Sequence, residues 1–151
     1  MAAVLAATAI ATSNTTLVLG EDPQRPMADV AVMGDAMPLP LTGQAGDATR
    51  GRRIVLDREA GNCLICHKVP EPAEPFQGDL GPDLGGIGKK LTAGQIRLRL
   101  VDQSRLSPQT LMPPYHRVER LNRVAAKFKG RPVLTPQDIE DVVAYLGTLT
   151  Q

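Results

Sequence analysis

The run Cys63-Leu64-Ile65-Cys66-His67 constrains this chain more than any other feature. It has the form C-x-x-C-H, the attachment pattern of a c-type haem. Two thiols separated by two residues can both reach the vinyl groups of one porphyrin and form thioethers. The next residue then sets an imidazole beneath the iron. Cys63 and Cys66 are the only cysteines among the 151 residues, so no thiol is left for another purpose. A thioredoxin-like pair needs a βαβ context, and no Val/Ile-rich strand pattern surrounds Cys63. A structural zinc needs four ligands, and Cys63, Cys66, His67 and His116 are the only Cys and His residues. Adjacent ligands at 66 and 67 fit that tetrahedron poorly. A Cys63–Cys66 disulfide would close too small a loop to stabilise much.

A proximal His with an axial Met raises the potential of a haem iron and suits electron transfer. Four of the five methionines, Met1, Met27, Met33 and Met37, precede the motif. Only Met112 follows it, in Leu111-Met112-Pro113-Pro114-Tyr115. Two prolines fix φ and remove backbone donors, which puts this Met on a stiff, non-helical loop. A thioether is a weak ligand and needs such stiffness. The alternatives are a Met packed in a core and ligation by His116, four residues on, which would lower the potential.

The length suits one domain with an extended arm. Aromatics are limited to Phe76, Phe128, Tyr115 and Tyr145, a thin core that a buried porphyrin would thicken. The net charge of +1 conceals segregation: residues 89–132 hold eleven Lys/Arg against Asp102 and Glu119, about +9 (11 − 2). This segment contains Met112. It reads either as a collar that steers an acidic redox partner or as a solvated surface with some Arg pairing haem propionates. No aromatic interleaving or motif accompanies the charge, which argues against nucleic acid.

Residues 1–20 carry no charge, and Val4 to Ala11 is apolar, like the core of a secretory signal, with Ala9-Ile10-Ala11 as a cleavage site. No Lys or Arg precedes it, so either the start falls inside a longer signal or the segment is a disordered tail. The polar stretch at 12–16 argues against a membrane span. Residues 21–46 are rich in Pro, Gly and Asp and read as an extended arm over the domain or over a partner. The cytochrome domain is expected over 47–151, with a first helix over about 48–60 capped by Asp47. Gly61-Asn62 forms a turn, and the Pro-rich stretch 70–75 is irregular. The glycines of 81–88 fail the P-loop spacing and suit close approach to a flat cofactor. Thr92 caps a helix over about 93–102, and the loop 103–117 carries Met112. Thr135, Pro136 and Asp138 open a last helix. Its Ile139, Val142, Val143 and Leu146 share one face. Tyr145 and Leu146 are expected to meet the first helix.

Helix, C-x-x-C-H, Gly-Pro-Asp-Leu loop, Met-Pro loop and terminal helix together resemble a class I cytochrome c. More closely, Leu41-Thr42-Gly43, Gly46-Asp47, Gly51-Arg52, Gly61 to His67, Gly81 to Leu84, Leu100-Val101-Asp102 and Met112-Pro113-Pro114 are similar to the SoxX family, over about residues 39–150. The resemblance implies an all-α, class I cytochrome c-like domain of a few helices around one covalent haem c, with an extended N-terminal arm. It implies Cys63 and Cys66 as thioether anchors, His67 and Met112 as iron ligands, and Pro82 as backbone acceptor for the His67 Nδ1–H. It further implies a periplasmic heterodimer with a SoxA-type cytochrome, which oxidatively joins thiosulfate to a cysteine of a SoxY-type carrier. This chain would hold no catalytic residue and would pass electrons to a soluble cytochrome c. The rival is a freely diffusing monohaem carrier.

Overall fold

The computed structural model describes residues 31–151; the signal-like segment 1–20 and the first part of the arm lie outside the described residues. Among the described residues four α-helices form: α1 (Ala48–Leu56), α2 (Ile87–Lys90), α3 (Ala93–Asp102) and α4 (Pro136–Thr148). Short 3-10 turns stand at Cys63–Ile65, Gln103–Arg105 and Ala126–Phe128. The only β-pairing among the described residues is an isolated bridge between Met33 and Ala36. The domain is all-α.

Local chemistry sets the helix starts. The Asp47 carboxylate accepts from the Thr49 and Arg50 amides at 2.8 and 2.9 Å, satisfying orphan donors of α1. Thr92 with Gln95, and Thr135 with Asp138, form reciprocal capping boxes. Helix α1 stops at Leu56, four residues short of the expected end. The Asp57 carboxylate accepts from the Glu59 and Ala60 amides and turns the chain there. Helix α2 is unexpected, because it sits in the glycine-rich run. Gly88 there faces the backbone of α4: an added Cβ would come within 2.3 Å of the Gly147 carbonyl oxygen. That glycine therefore serves helix packing and not approach to a cofactor.

Val55 of α1, Leu98 and Val101 of α3, and Ile139 and Val142 of α4 are fully buried together. Helices α1 and α4 cross backbone to backbone at Gly51, where a Cβ would fall 1.9 Å from the Asp141 carbonyl oxygen. The bidentate Arg50–Asp141 pair, 2.6 and 2.8 Å, closes the same crossing. Tyr145 is tied to α1 through a relay. Its hydroxyl donates to Glu71 at 2.8 Å, and Arg52 of α1 grips that carboxylate at 2.7 and 2.6 Å.

The described part of the arm lies over α3 and α4. Met37 is completely buried, its amide donating to the Gly94 carbonyl at 2.9 Å. Arg97 donates to the Met37 carbonyl, and Glu140 accepts from the Leu41 amide.

Candidate haem site

Asn62 adopts the left-handed conformation, φ 52°, and turns the chain into the 3-10 segment that begins at Cys63. The Cys66 and His67 amides both donate to the Cys63 carbonyl, at 3.1 and 2.9 Å. The motif is thus one tight turn that presents both thiols and the imidazole. A second strand of chain is laid along it: Gly78, Gly81 and Leu84 donate from their amides to the carbonyls of Leu64, Cys66 and Lys68. That pairing puts the Pro82 carbonyl 2.7 Å from His67 Nδ1. Gly81 lies against the imidazole, with room for no Cβ, which would meet Cε1 at 2.4 Å.

Cys63, Cys66, His67 and Met112 all line one cavity of about 360 Å³, within the size range of ligand sites. Pro82 is also on its wall. The remaining walls are mainly apolar and come from α1, α2, α3 and α4, through Val55, Ile87, Leu100 and Leu146 among others. A second hollow of about 600 Å³ shares Cys63, Cys66, His67, Met112 and Tyr115. Met112 is held by its loop. Its amide donates to the Thr110 hydroxyl at 3.1 Å, and the loop's far end is tied back where the Tyr115 amide donates to the Leu100 carbonyl. Asp102 and Arg117 close the loop at 2.8 Å. His116, the rival ligand, lines neither hollow, and its Nδ1 lies 3.2 Å from the Leu134 carbonyl.

Burial pushes the Cys63 thiol up to about 11, although the Tyr115 hydroxyl hydrogen-bonded to it pulls the other way. Burial raises Tyr115 as well.

Four of the eleven cations of the basic segment are committed to ion pairs. Arg97 pairs with Glu140, Arg99 approaches Asp35, and Arg105 and Arg117 share Asp102. Sequence reasoning overlooks Tyr115, Arg99 and Gln103 on the cavity wall. No local pattern marks them: Arg99 lies on α3 and Gln103 in the 3-10 turn that follows, and only the packing of α3 beside the motif brings them to the wall.

The residues fit a c-type haem. An imidazole and a thioether share a cavity with two thiols, and one buried polar atom on its wall, Gln103 Oε1, has no partner within the protein. Four helices around such a cavity define a class I cytochrome c-like fold. The structure is similar to a chain of the crystal structure of SoxXA from P. pantotrophus, with a TM-score of 0.73 and 33% identity, over 82% of this chain and 96% of that one. The chain belongs to the SoxX family. No protein-family model matches it, and no curated protein matches it.

Proposed function

We propose that this chain binds one haem c through Cys63 and Cys66 and serves as the electron-transfer subunit of a SoxAX-type complex in the periplasm. The observation that carries the reading is the convergence of Cys63, Cys66, His67 and Met112 on one cavity. The haem supplies a one-electron couple. His67 would ligate the iron, its ring fixed by the Pro82 carbonyl and by contact with Gly81. Met112 would supply a second ligand, and a thioether there would keep the potential high. The apolar wall excludes water and favours the same outcome.

The partner is a SoxA-type cytochrome, on which the bond-forming chemistry takes place. Thiosulfate joins a cysteine thiol of a SoxY-type carrier as a new S–S bond, with loss of one proton and two electrons. This chain receives those electrons singly and passes them to a soluble cytochrome c. It contributes no catalytic residue. No helix among the described residues is long and apolar enough to cross a membrane.

A freely diffusing carrier would need the same ligands. The arm does not separate the two readings, because its described part packs on its own domain through Met37. A C-terminally tagged chain, matured in a haem-attaching periplasm and used to capture partners from a thiosulfate-oxidising extract, decides between them. A second haem-staining band in stoichiometric amount is expected. This chain alone on the gel would overturn the complex.

A further inference from the structure

We infer that Arg99 and Gln103 receive the carboxylate edge of the haem. The inference rests on the reading that Cys63 and Cys66 attach the haem. The polar residues of the cavity wall are the thiols, His67 and Tyr115, the last hydrogen-bonded to Cys63, and, outside the motif, Arg99, Gln103 and Thr110. The Thr110 hydroxyl accepts from the Met112 amide and keeps its own proton to donate. Arg99 and Gln103 are one helical turn apart, at the end of α3 and the start of the following 3-10 turn.

Gln103 Oε1 is buried and is the only such side-chain atom without a hydrogen-bond partner among the described residues. Left so, the atom has lost its water with nothing in exchange. A side-chain amide offers two donors as well as an acceptor, and a rotation of the group exchanges them. It therefore needs a polar partner inside the cavity. Arg99 is partly engaged: Nη1 donates to the Gln95 carbonyl at 2.9 Å and to the Asp35 carbonyl at 3.4 Å, while Nη2 stands 3.6 Å from the Asp35 carboxylate, beyond charge-assisted hydrogen-bond length.

The haem is itself two-ended. Its vinyl groups lie along one edge and its two carboxylates along the opposite one. Thioethers at Cys63 and Cys66 fix the vinyl edge at the motif, so the carboxylates must reach a different part of the wall. A carboxylate against bare Leu and Ile side chains would be strongly disfavoured. Arg99 and Gln103 supply a positive charge and amide donors where the apolar wall is interrupted.

The test uses the haem-loaded full chain in its reduced, diamagnetic state. Nuclear Overhauser contacts are expected from the Gln103 side-chain amide protons to the methylenes of the haem carboxylate arms. Contacts to the thioether-bridge methyls instead, or none to the haem, would overturn the inference. Arg99→Gln is expected to move the ferric–ferrous equilibrium about tenfold toward ferric, because a cation near the haem is lost. Arg99→Lys should restore most of the shift, and Arg105→Gln should show little. An Arg99→Gln protein indistinguishable from Arg105→Gln would also overturn it. A chain that takes up no covalent haem would refute the proposed function itself, a separate outcome read from haem staining before either experiment.

Discussion

Arg97 and Glu140 form a bidentate ion pair, 2.7 Å at both contacts, with each side chain only 5% exposed. The pair joins α3 to α4, and both partners also hold the arm: Arg97 through the Met37 carbonyl and Glu140 through the Leu41 amide. Glu140→Gln leaves a buried guanidinium without its counter-charge, which should cost about 3–5 kcal/mol. Urea unfolding of the haem-loaded chain measures it. A double replacement, Arg97→Met with Glu140→Leu, should recover part of the loss but remain below the parent. The Met37 carbonyl and Leu41 amide would then lack partners.

Met112→Ala should leave haem attached while the potential falls sharply and the thioether–iron charge-transfer band disappears. An unchanged potential would remove Met112 from the iron.

The closing pair of the Met loop has its own signature. Arg117→Ala removes the 2.8 Å contact with Asp102, which is 4% exposed. Added imidazole should then compete for the iron about tenfold better, the scale of one charge-assisted hydrogen bond. Equal imidazole affinity in parent and variant would show that the loop is held by other contacts.

Two glycines predict separable effects. Gly51→Ala pushes a methyl group into the Asp141 carbonyl and should destabilise by about 1–3 kcal/mol with the haem spectrum intact. Gly81→Ala presses on the His67 ring and should disturb the low-spin spectrum itself. Identical spectra in the two variants would contradict the close fit at His67.

Stability should fall in acid partly through Glu71. Arg52 holds its carboxyl below the usual 4.5, against the rise from burial and with help from the Tyr145 hydroxyl. A folded value below the unfolded one means the contribution is complete above the unfolded value and drains away as pH falls through the folded one. Glu71→Gln should therefore lower Tm at neutral pH and lose less between about pH 5 and 3. Parallel Tm curves for parent and variant would show that Glu71 carries none of the acid sensitivity.

Elements with local signals were legible in the sequence. Thr92 and Thr135 close capping boxes with residues three positions on, so the starts of α3 and α4 are written within one turn. The end of α1 was not, because it depends on the Asp57 carboxylate choosing the Glu59 and Ala60 amides over continued helix. Helix α2 is four residues long and stands against α4, a contact no local pattern encodes. The C-x-x-C-H turn and the Met-Pro loop announce themselves by residue type. The Arg99–Gln103 corner becomes visible only when α3 is placed beside the motif. The basic segment is less free than its composition counts, because Glu140, far away in sequence, pairs with Arg97, and Asp35 stands near Arg99.

The burial of Met37 limits how far the N-terminus can be processed. Removal through Val32 takes away an apolar side chain packed against the core, and removal through Pro38 would also excise the buried Met37 and cost Arg97 its carbonyl acceptor, leaving it Glu140 alone. Residues 32–41 are thus built into the packing of the domain rather than laid over it.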